Sequence, residues 1–331
     1  MNRRDTLGVI VALCAAPRAR AQSARKLPRI ALVDGAEAVA NMAEDRHPLW
    51  GPLLSELRRL GYIEGKTVAI ERWSGGGDTG GYGELARKIV ASRPQIIVAR
   101  GRTLTSPIAA TTSDIPIVTV GTVSSDLSTS LARPSGNVTG LFTSADEQQI
   151  YSKQLDFLAE IVKVGSRIAW LGPQLLWDGP VGEAARKGAT RQKLVLRPIF
   201  VSSPVDAKAI GEAFAAIRSG KFEGLLISPS TEIFPHRVLI AKLALEGHLP
   251  SMSTSSFYVE AGILSGYGAP TDELFRRAAH YVSRLLKGAK PGDLPIEQPT
   301  KILLMFNRKT AKALGISIPP SMLLQADRVI E

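Results

Sequence analysis

Short apolar runs and helix-spaced apolar positions alternate along most of this chain. Arg29 to Val33 is an apolar run that stops at Asp34-Gly35, the pattern of a buried strand and its turn. From Pro48 to Leu60 the apolar residues fall at 49, 50, 53, 54, 57 and 60, one face of a helix, and Gly61 closes it. Val68 to Trp73 reads as the next strand and Tyr82 to Ser92 as the next helix, which Pro94 stops from continuing. Strands at Gln95 to Ala99, Ile115 to Val120 and Val138 to Phe142 flank a helix at Leu104 to Thr111. The pattern then restarts. Helices are expected at Gln148 to Val162, Val181 to Thr190, Ala207 to Arg218 and Pro235 to Glu246. Strands are expected between them at Arg167 to Leu171, Leu194 to Val201, Phe222 to Ile227 and Leu249 to Ser253. A long amphipathic helix over Thr271 to Lys287, a strand at Lys301 to Phe306 and a short helix at Arg308 to Leu314, ended by Gly315, complete the chain.

Alternating strands and helices with apolar strands predict an α/β fold of parallel sheets covered on both faces. The two runs predict two doubly wound lobes, and a length of 331 residues agrees with about two domains. In such sheets ligands bind beyond the carboxyl ends of the strands, where loops and helix N-termini gather. The loops to inspect are therefore 34–46, 74–82, 101–106, 121–126, 172–179, 228–234 and 254–262.

The N-terminus adds a compartment. Arg3-Arg4 is followed by an uncharged, mostly apolar stretch from Thr6 to Ala16 and then by Ala19-Arg20-Ala21. This is the order of an export signal cut near Ala21, and the arginine pair also fits twin-arginine export. The apolar stretch is too short for a membrane span, which takes about 20 residues. Cys14 is the only cysteine and would leave with the signal, which excludes thiol nucleophiles, thiolate metal sites and disulfides from residues 22–331. The predicted location is the periplasm.

The formal net charge is +11, and removing residues 1–21 takes away four arginines and one aspartate, leaving +8. The basic residues are scattered in pairs such as Arg58-Arg59, Arg87-Lys88 and Arg276-Arg277, without interleaved aromatics. That favours solvated helix faces over a nucleic-acid partner. Gly75-Gly76-Gly77-Asp78-Thr79-Gly80 satisfies G-x-G-x-x-G, but it follows the second strand rather than the first, and Arg100 stands where an acid should meet a ribose. It reads as a polar loop. The histidines, at 47, 236, 248 and 280, are far apart in sequence and suggest no metal site. No G-x-S-x-G elbow and no phosphate-binding G-x-x-x-x-G-K-[ST] loop occurs. Neither a catalytic group nor a cofactor is predicted.

The remaining candidates are polar loops at strand ends. Gly101-Arg102-Thr103-Leu104-Thr105 precedes a helix and offers amides and hydroxyls to an anionic group. Ser228-Pro229-Ser230-Thr231 repeats the arrangement in the second run, and Ser253 to Ser256 add more hydroxyls. Helix capping alone accounts for such residues as readily. Trp177 sits in a strand-end loop and suits stacking on a ligand, whereas Trp170 lies within a strand and reads as core.

Several segments resemble the substrate-binding proteins of ABC transporters, a family whose better-known relatives bind tryptophan or tyrosine. They are residues 57–66 (Leu-Arg-Arg-Leu-Gly-Tyr-Ile-Glu-Gly-Lys), Ile115-Pro116-Ile117-Val118, and residues 130–140 (Ser-Leu-Ala-Arg-Pro-Ser-Gly-Asn-Val-Thr-Gly), the most specific of the set. Val259-Glu260-Ala261-Gly262, Ser265-Gly266-Tyr267-Gly268, residues 297–301 and residues 307–315 follow in order. The resemblance implies a type I periplasmic-binding-protein fold: two lobes joined by a multi-strand hinge, closing on a small-molecule ligand and docking on a permease in the inner membrane. It implies lobe 1 from 28–143 plus 262–290 and lobe 2 from 144–261 plus 291–331, in a monomer. With the loop reading it places Asp34 against an ammonium group. Thr103, Leu104, Thr105, Thr122, Val123 and Ser124 would stand on one side of the ligand, and Trp177, Ser230, Thr231, Ser255 and Ser256 on the other. The chain departs from the family where Tyr-Pro-Phe-Arg-Glu is common; here it reads Ser253-Thr254-Ser255-Ser256-Phe257, which points to a more polar or larger ligand than an aromatic amino acid. Two rival readings are a periplasmic sensor feeding a membrane receptor and an exported hydrolase or isomerase.

Overall fold

The computed structural model describes residues 27–121, 130–144 and 146–331. The export signal with Cys14, and the candidate residues Thr122, Val123 and Ser124, lie outside the described residues.

The first run of elements is β1 (Arg29–Asp34), α1 (Trp50–Arg59), β2 (Ala69–Ser74), α2 (Tyr82–Ala91), β3 (Ile96–Arg100), α3 (Arg102–Thr111), β4 (Ile117–Gly121) and β5 (Val138–Phe142). Its strands form one parallel sheet in the order β2-β1-β3-β4-β5. Along β1 the side chains alternate, so Ala31 and Val33 join Ile97 and Ala99 under α2 and α3, while Ile30 and Leu32 join Val98 and Val118 on the other face. That second face is covered by Leu53 and Leu57 of α1 and by residues 274–285.

The second run is α4 (Glu147–Ala159), β6 (Arg167–Gly172), α5 (Gln174–Asp178), α6 (Pro180–Arg191), β7 (Val195–Phe200), α7 (Ala207–Ser219), β8 (Gly224–Ile227), α8 (Arg237–Glu246), β9 (Ser251–Ser253), α9 (Ser256–Glu260) and β10 (Ser265–Gly268). After α10 (Thr271–Leu286) come β11 (Leu303–Asn307), α11 (Arg308–Leu314), α12 (Pro320–Gln325) and β12 (Arg328–Ile330). The sheet order is β12-β11-β10-β9-β8-β6-β7. Its members are parallel except where β11 meets β10 antiparallel, with β12 following β11. Two α/β lobes therefore stand as the alternation predicts, the second with a reversed edge.

The chain crosses between the sheets after β5, between β10 and α10, and again before β11, where the bridge Leu141↔Glu297 holds the returning segment against β5. The second crossing falls later than residue 262: β10 hydrogen-bonds to β9 and β11 in the second sheet, and α10 returns to pack on α1, β4 and β5. The reason is local. Ser-Gly-Tyr-Gly is too polar and small to read as a strand, yet it is buried between β9 and β11.

Helix ends follow their chemistry. Asp146 caps α4 by accepting from the Gln149 amide, and Asn307 caps α11 by accepting from the Thr310 amide. Gly61 follows α1 and Gly315 follows α11, both at positive φ (90° and 69°), the backbone region that favours glycine. The N-terminus of α1 is capped by an imidazole: His47 Nδ1 accepts from the Leu49 and Trp50 amides at 3.1 and 3.0 Å. Its Nε2 then carries the proton and donates to Glu37 at 3.1 Å.

Candidate ligand-binding cleft

The carboxyl ends of β3, β4 and β5 point toward those of β8, β9 and β10, and between them lies a cavity of about 90 Å³. Its first-lobe wall is Arg100 to Thr103, Val120 and Gly121, with Thr271 and Phe275 of α10. Thr143 and Ser144 line it at the first crossing. The second lobe gives Glu147, Ile150 and Tyr151 from α4, Leu176 from α5, Pro229 to Thr231 and Phe234 after β8, and Thr254, Ser255 and Tyr258 after β9. This is where parallel-sheet topology gathers loops and helix N-termini.

Gly101 is the pivot of the first-lobe wall. Its φ of +79° turns β3 sharply into α3, and a β-carbon there would stand 2.5 Å from Thr231 Cγ2 of the other lobe. Only a glycine lets the lobes approach this closely. The α3 N-terminus is thereby exposed to the cleft, with Arg102 and Thr103 in its first turn. Leu104 and Thr105, the next two candidates, turn away. Leu104 is in the core under α2, and the buried Thr105 hydroxyl donates to Gly101 O at 2.7 Å and pairs with Thr119 Oγ1 at 3.0 Å.

Asp34 does not reach the cleft. It is fully buried, and both carboxylate oxygens are occupied. Oδ1 accepts from the Ala36 and Glu37 amides at 3.1 and 3.0 Å. Oδ2 accepts from Trp50 Nε1 at 3.0 Å and Arg100 Nη1 at 3.2 Å. Burial pushes its pKa up, but Arg100, the two amides and the indole more than offset this and hold the group below the ordinary value of 3.8. What Asp34 does is aim Arg100. The guanidinium is 6% exposed, has Asp34 as its hydrogen-bond partner, and lies 4.3 Å from the Phe234 ring centroid. Its other donors remain for the cleft it lines. Arg237 lies over the same ring at 4.7 Å, so Phe234 carries two guanidinium contacts.

On the second lobe Ser230 and Thr231 line the cleft in different ways. Ser230 Oγ donates to Glu232 Oε2 at 2.6 Å and accepts from the Glu232 amide, so it shapes the loop. Thr231 Oγ1 is buried with no hydrogen-bond partner among the described residues. Ser255 lines the wall, whereas Ser256, the first residue of α9, is buried outside it. Trp177 also turns away. It packs at 5.3 Å on Trp170 and under Arg186, whose guanidinium donates to the Trp177 carbonyl at 2.7 Å. The short helix α5 rotates neighbouring residues apart, and Leu176 takes the cleft position instead.

Sequence reasoning passed over Arg100, Glu147, Tyr151, Phe234 and Tyr258. Tyr151 and Tyr258 are each 2% exposed, and their hydroxyls, like Thr231 Oγ1 and Ser144 Oγ, have no hydrogen-bond partner among the described residues. Four orphaned hydroxyls thus line one cleft, a concentration that ordinary core packing does not produce. Burial raises both phenol pKa values, with Glu147 adding to that of Tyr151 and Arg100 and Arg237 opposing that of Tyr258. A polarity signal was present for Glu147 and Tyr151, which sit one helical turn apart beside the Asp146 cap.

Away from the crossings the lobes also touch. The Val205 amide donates to Gly77 O at 3.0 Å, the Thr79 amide to Ser203 Oγ at 3.2 Å, and Tyr82 Oη to Glu232 Oε1 at 3.2 Å. The glycine run after β2 is therefore a lobe contact. Among the described residues no cluster of His, Cys, Asp or Glu is set to hold a metal, and no helix is long and apolar enough to cross a membrane.

A family model described as ABC transporter substrate binding protein matches residues 49–330. A tyrosine-binding protein from Clostridioides difficile (strain R20291) is 24% identical over 268 residues, which span 80% of this chain and 75% of that protein. The fold is similar to a conserved domain protein from Vibrio cholerae O1 biovar El Tor, with a TM-score of 0.78, 22% identity, and coverage of 92% of this chain and 100% of that one. It is also similar to an ABC domain in complex with L-Trp from Streptococcus pneumonia, with a TM-score of 0.76, 20% identity and coverage of 92% and 100%.

Proposed function

The chain belongs to the ABC transporter substrate-binding protein family, and from that premise we propose that it is the exported, non-catalytic binding component of an importer. Its two lobes, hinged at the crossings near Thr143 and Ser144, at residues 269–270 and at residues 297–302, close on a small polar ligand. The closed form then docks on a permease in the inner membrane, and the working unit is a monomer in the periplasm. The ligand carries a carboxylate and is an amino acid or a close relative of one.

The carrying observation is the set of orphaned hydroxyls on Thr231, Tyr151, Tyr258 and Ser144, drawn from the second lobe and the hinge, opposite Arg100 and the α3 N-terminus on the first lobe. Each unpaired buried hydroxyl costs about 1–3 kcal/mol, which a polar ligand returns on binding. The arginine, partly neutralised by Asp34, and the helix amides suit a carboxylate. The departures from the family pattern after β9 leave Thr254 and Ser255 on the wall, in keeping with a polar ligand. The binding reports of the tyrosine- and tryptophan-binding relatives support the amino-acid class.

The test is thermal unfolding of residues 22–331 against amino acids, small acids, amines, sugars and purines. A ligand at about 100 times its Kd stabilises the folded state by about 2.7 kcal/mol, enough to see as a raised Tm. A selective shift with carboxylate-bearing compounds is expected. Turnover of a bound compound would instead favour an exported enzyme.

A further inference from the structure

Glu147 opens α4 on the cleft wall and plays no part in the scheme so far. Acids are common in the first turn of a helix, where the macrodipole favours them. That preference explains a carboxylate at this position but not what surrounds it. Among the described residues no hydrogen bond or ion pair closes on its carboxyl; Arg102 of α3 and Asp146 beside it act on it only through space. One turn further along, Tyr151 presents a buried hydroxyl that also lacks a partner, and Ser144, just before the helix, presents another. Toward the other end of α4, Asp156 meets Arg191 of α6, and Gln154 donates to the Tyr267 carbonyl of β10 at 2.9 Å while its own Oε1 stays unpaired. Where the helix faces the cleft, three such groups stand together: Glu147, Tyr151 and Ser144.

Resting on the binding function proposed above, we propose that Glu147 receives a cationic nitrogen of the ligand, with Tyr151 Oη and Ser144 Oγ as the further acceptors. A primary ammonium has three donors and no acceptor, and these three oxygens match it. Arg100 and the α3 N-terminus supply the positive side of the same cleft, so the ligand class is one bearing an ammonium beside a carboxylate. Asp34 cannot fill this role because four donors already occupy its two oxygens. Burial pushes the Glu147 carboxyl up to about 7, against Arg102 and with help from Asp146, so in the unliganded protein it is partly protonated at neutral pH. Capture of a cation would expel that proton.

The experiment is isothermal titration of the purified chain and of Glu147→Gln with each of the L-amino acids, their N-acetyl derivatives and the matching des-amino acids, at pH 6 and pH 8.5. The wild type is expected to bind at least one free amino acid, to discriminate against both analogues, and to bind about tenfold more tightly at pH 8.5 than at pH 6. Glu147→Gln should lose about 10- to 100-fold in affinity and its pH dependence, while keeping a folded-state circular dichroism spectrum. If the wild type binds an amino acid but the variant binds it equally well, or if des-amino acids bind as tightly as their parents, the role of Glu147 is overturned and the binding function stands. Affinity that rises toward pH 6 would show a protonated Glu147 donating to the ligand, and also overturns it. A wild type that binds nothing in the panel overturns both readings together.

Discussion

At the residue scale, one buried carboxylate is spent on the fold and a half-buried one is held ready for a ligand. Asp34 satisfies two amides, an indole and a guanidinium. Replacing it with alanine leaves Arg100 buried and unpaired, a change that costs about 3–5 kcal/mol in comparable pairs. Urea titration of Asp34→Ala without ligand should show that loss; an unchanged midpoint would mean that Asp34 serves the ligand rather than the wall. Glu147 gives the opposite signature. Its pKa rises from the ordinary 4.5 to about 7 on folding, so the folded state binds more protons than the unfolded one between these values. Stability contributed by this group is therefore whole below pH 4.5, falls as pH rises through that window, and levels off above pH 7, a loss of up to about 3 kcal/mol. Glu147→Gln should match the wild type at pH 4.5 and exceed it at pH 8. A thermal scan with equal gaps at both pH values would remove the basis for a desolvated carboxyl.

At the element scale, the cleft depends on where helices start. His47 takes the place of the usual Ser, Thr, Asp or Asn at the N-terminus of α1, accepting from two amides through Nδ1 and donating to Glu37 through Nε2. His47→Ala removes the cap and leaves the buried Glu37 with only Asn41 as a side-chain donor, so it should cost at least the roughly 1–2 kcal/mol of a lost cap. Chemical denaturation reads this, and a loss below about 0.5 kcal/mol would show that water replaces the ring. The same element logic explains which candidates reach the ligand. On α3 successive side chains diverge, so Thr103 lines the wall while Leu104 and Thr105 join the core. On α5 a single residue step exchanges Trp177 for Leu176.

At the scale of the whole molecule, contacts on the side away from the crossings hold the lobes together. Gly77 meets Val205, and Tyr82 meets Glu232, without passing through the hinge. A ligand that touches both lobes binds the closed form better and shifts the population toward it. Tyr82→Phe keeps the ring but removes its hydrogen bonds to Gly35 O and Glu232. It should weaken ligand binding by about tenfold or more, since a hydrogen bond to a charged group is worth about 1.5–3 kcal/mol. Small-angle scattering should show the radius of gyration falling on ligand addition in the wild type and falling less in the variant. Identical curves with and without a saturating ligand would sink the closure mechanism.

What the sequence by itself determined is the alternation. Apolar strands and amphipathic helices are written in local periodicity, and stops such as Gly61 and Gly315 are written in single residues, so the two α/β lobes were legible. The strand-end loops were legible too, because a parallel sheet sends its ligand there whatever its sequence. Tertiary structure decided the rest. β10 is a strand only because β9 and β11 lie on either side of a Ser-Gly-Tyr-Gly segment with little propensity of its own. Arg100 faces the cleft because Asp34, 66 residues away, holds it. The orphaned hydroxyls of Tyr151, Thr231 and Tyr258 acquire meaning only when two lobes meet. Periodicity fixes which side of an element is buried, but it carries no information about which polar atoms, distant in the chain, will share a dry cavity and lack partners there.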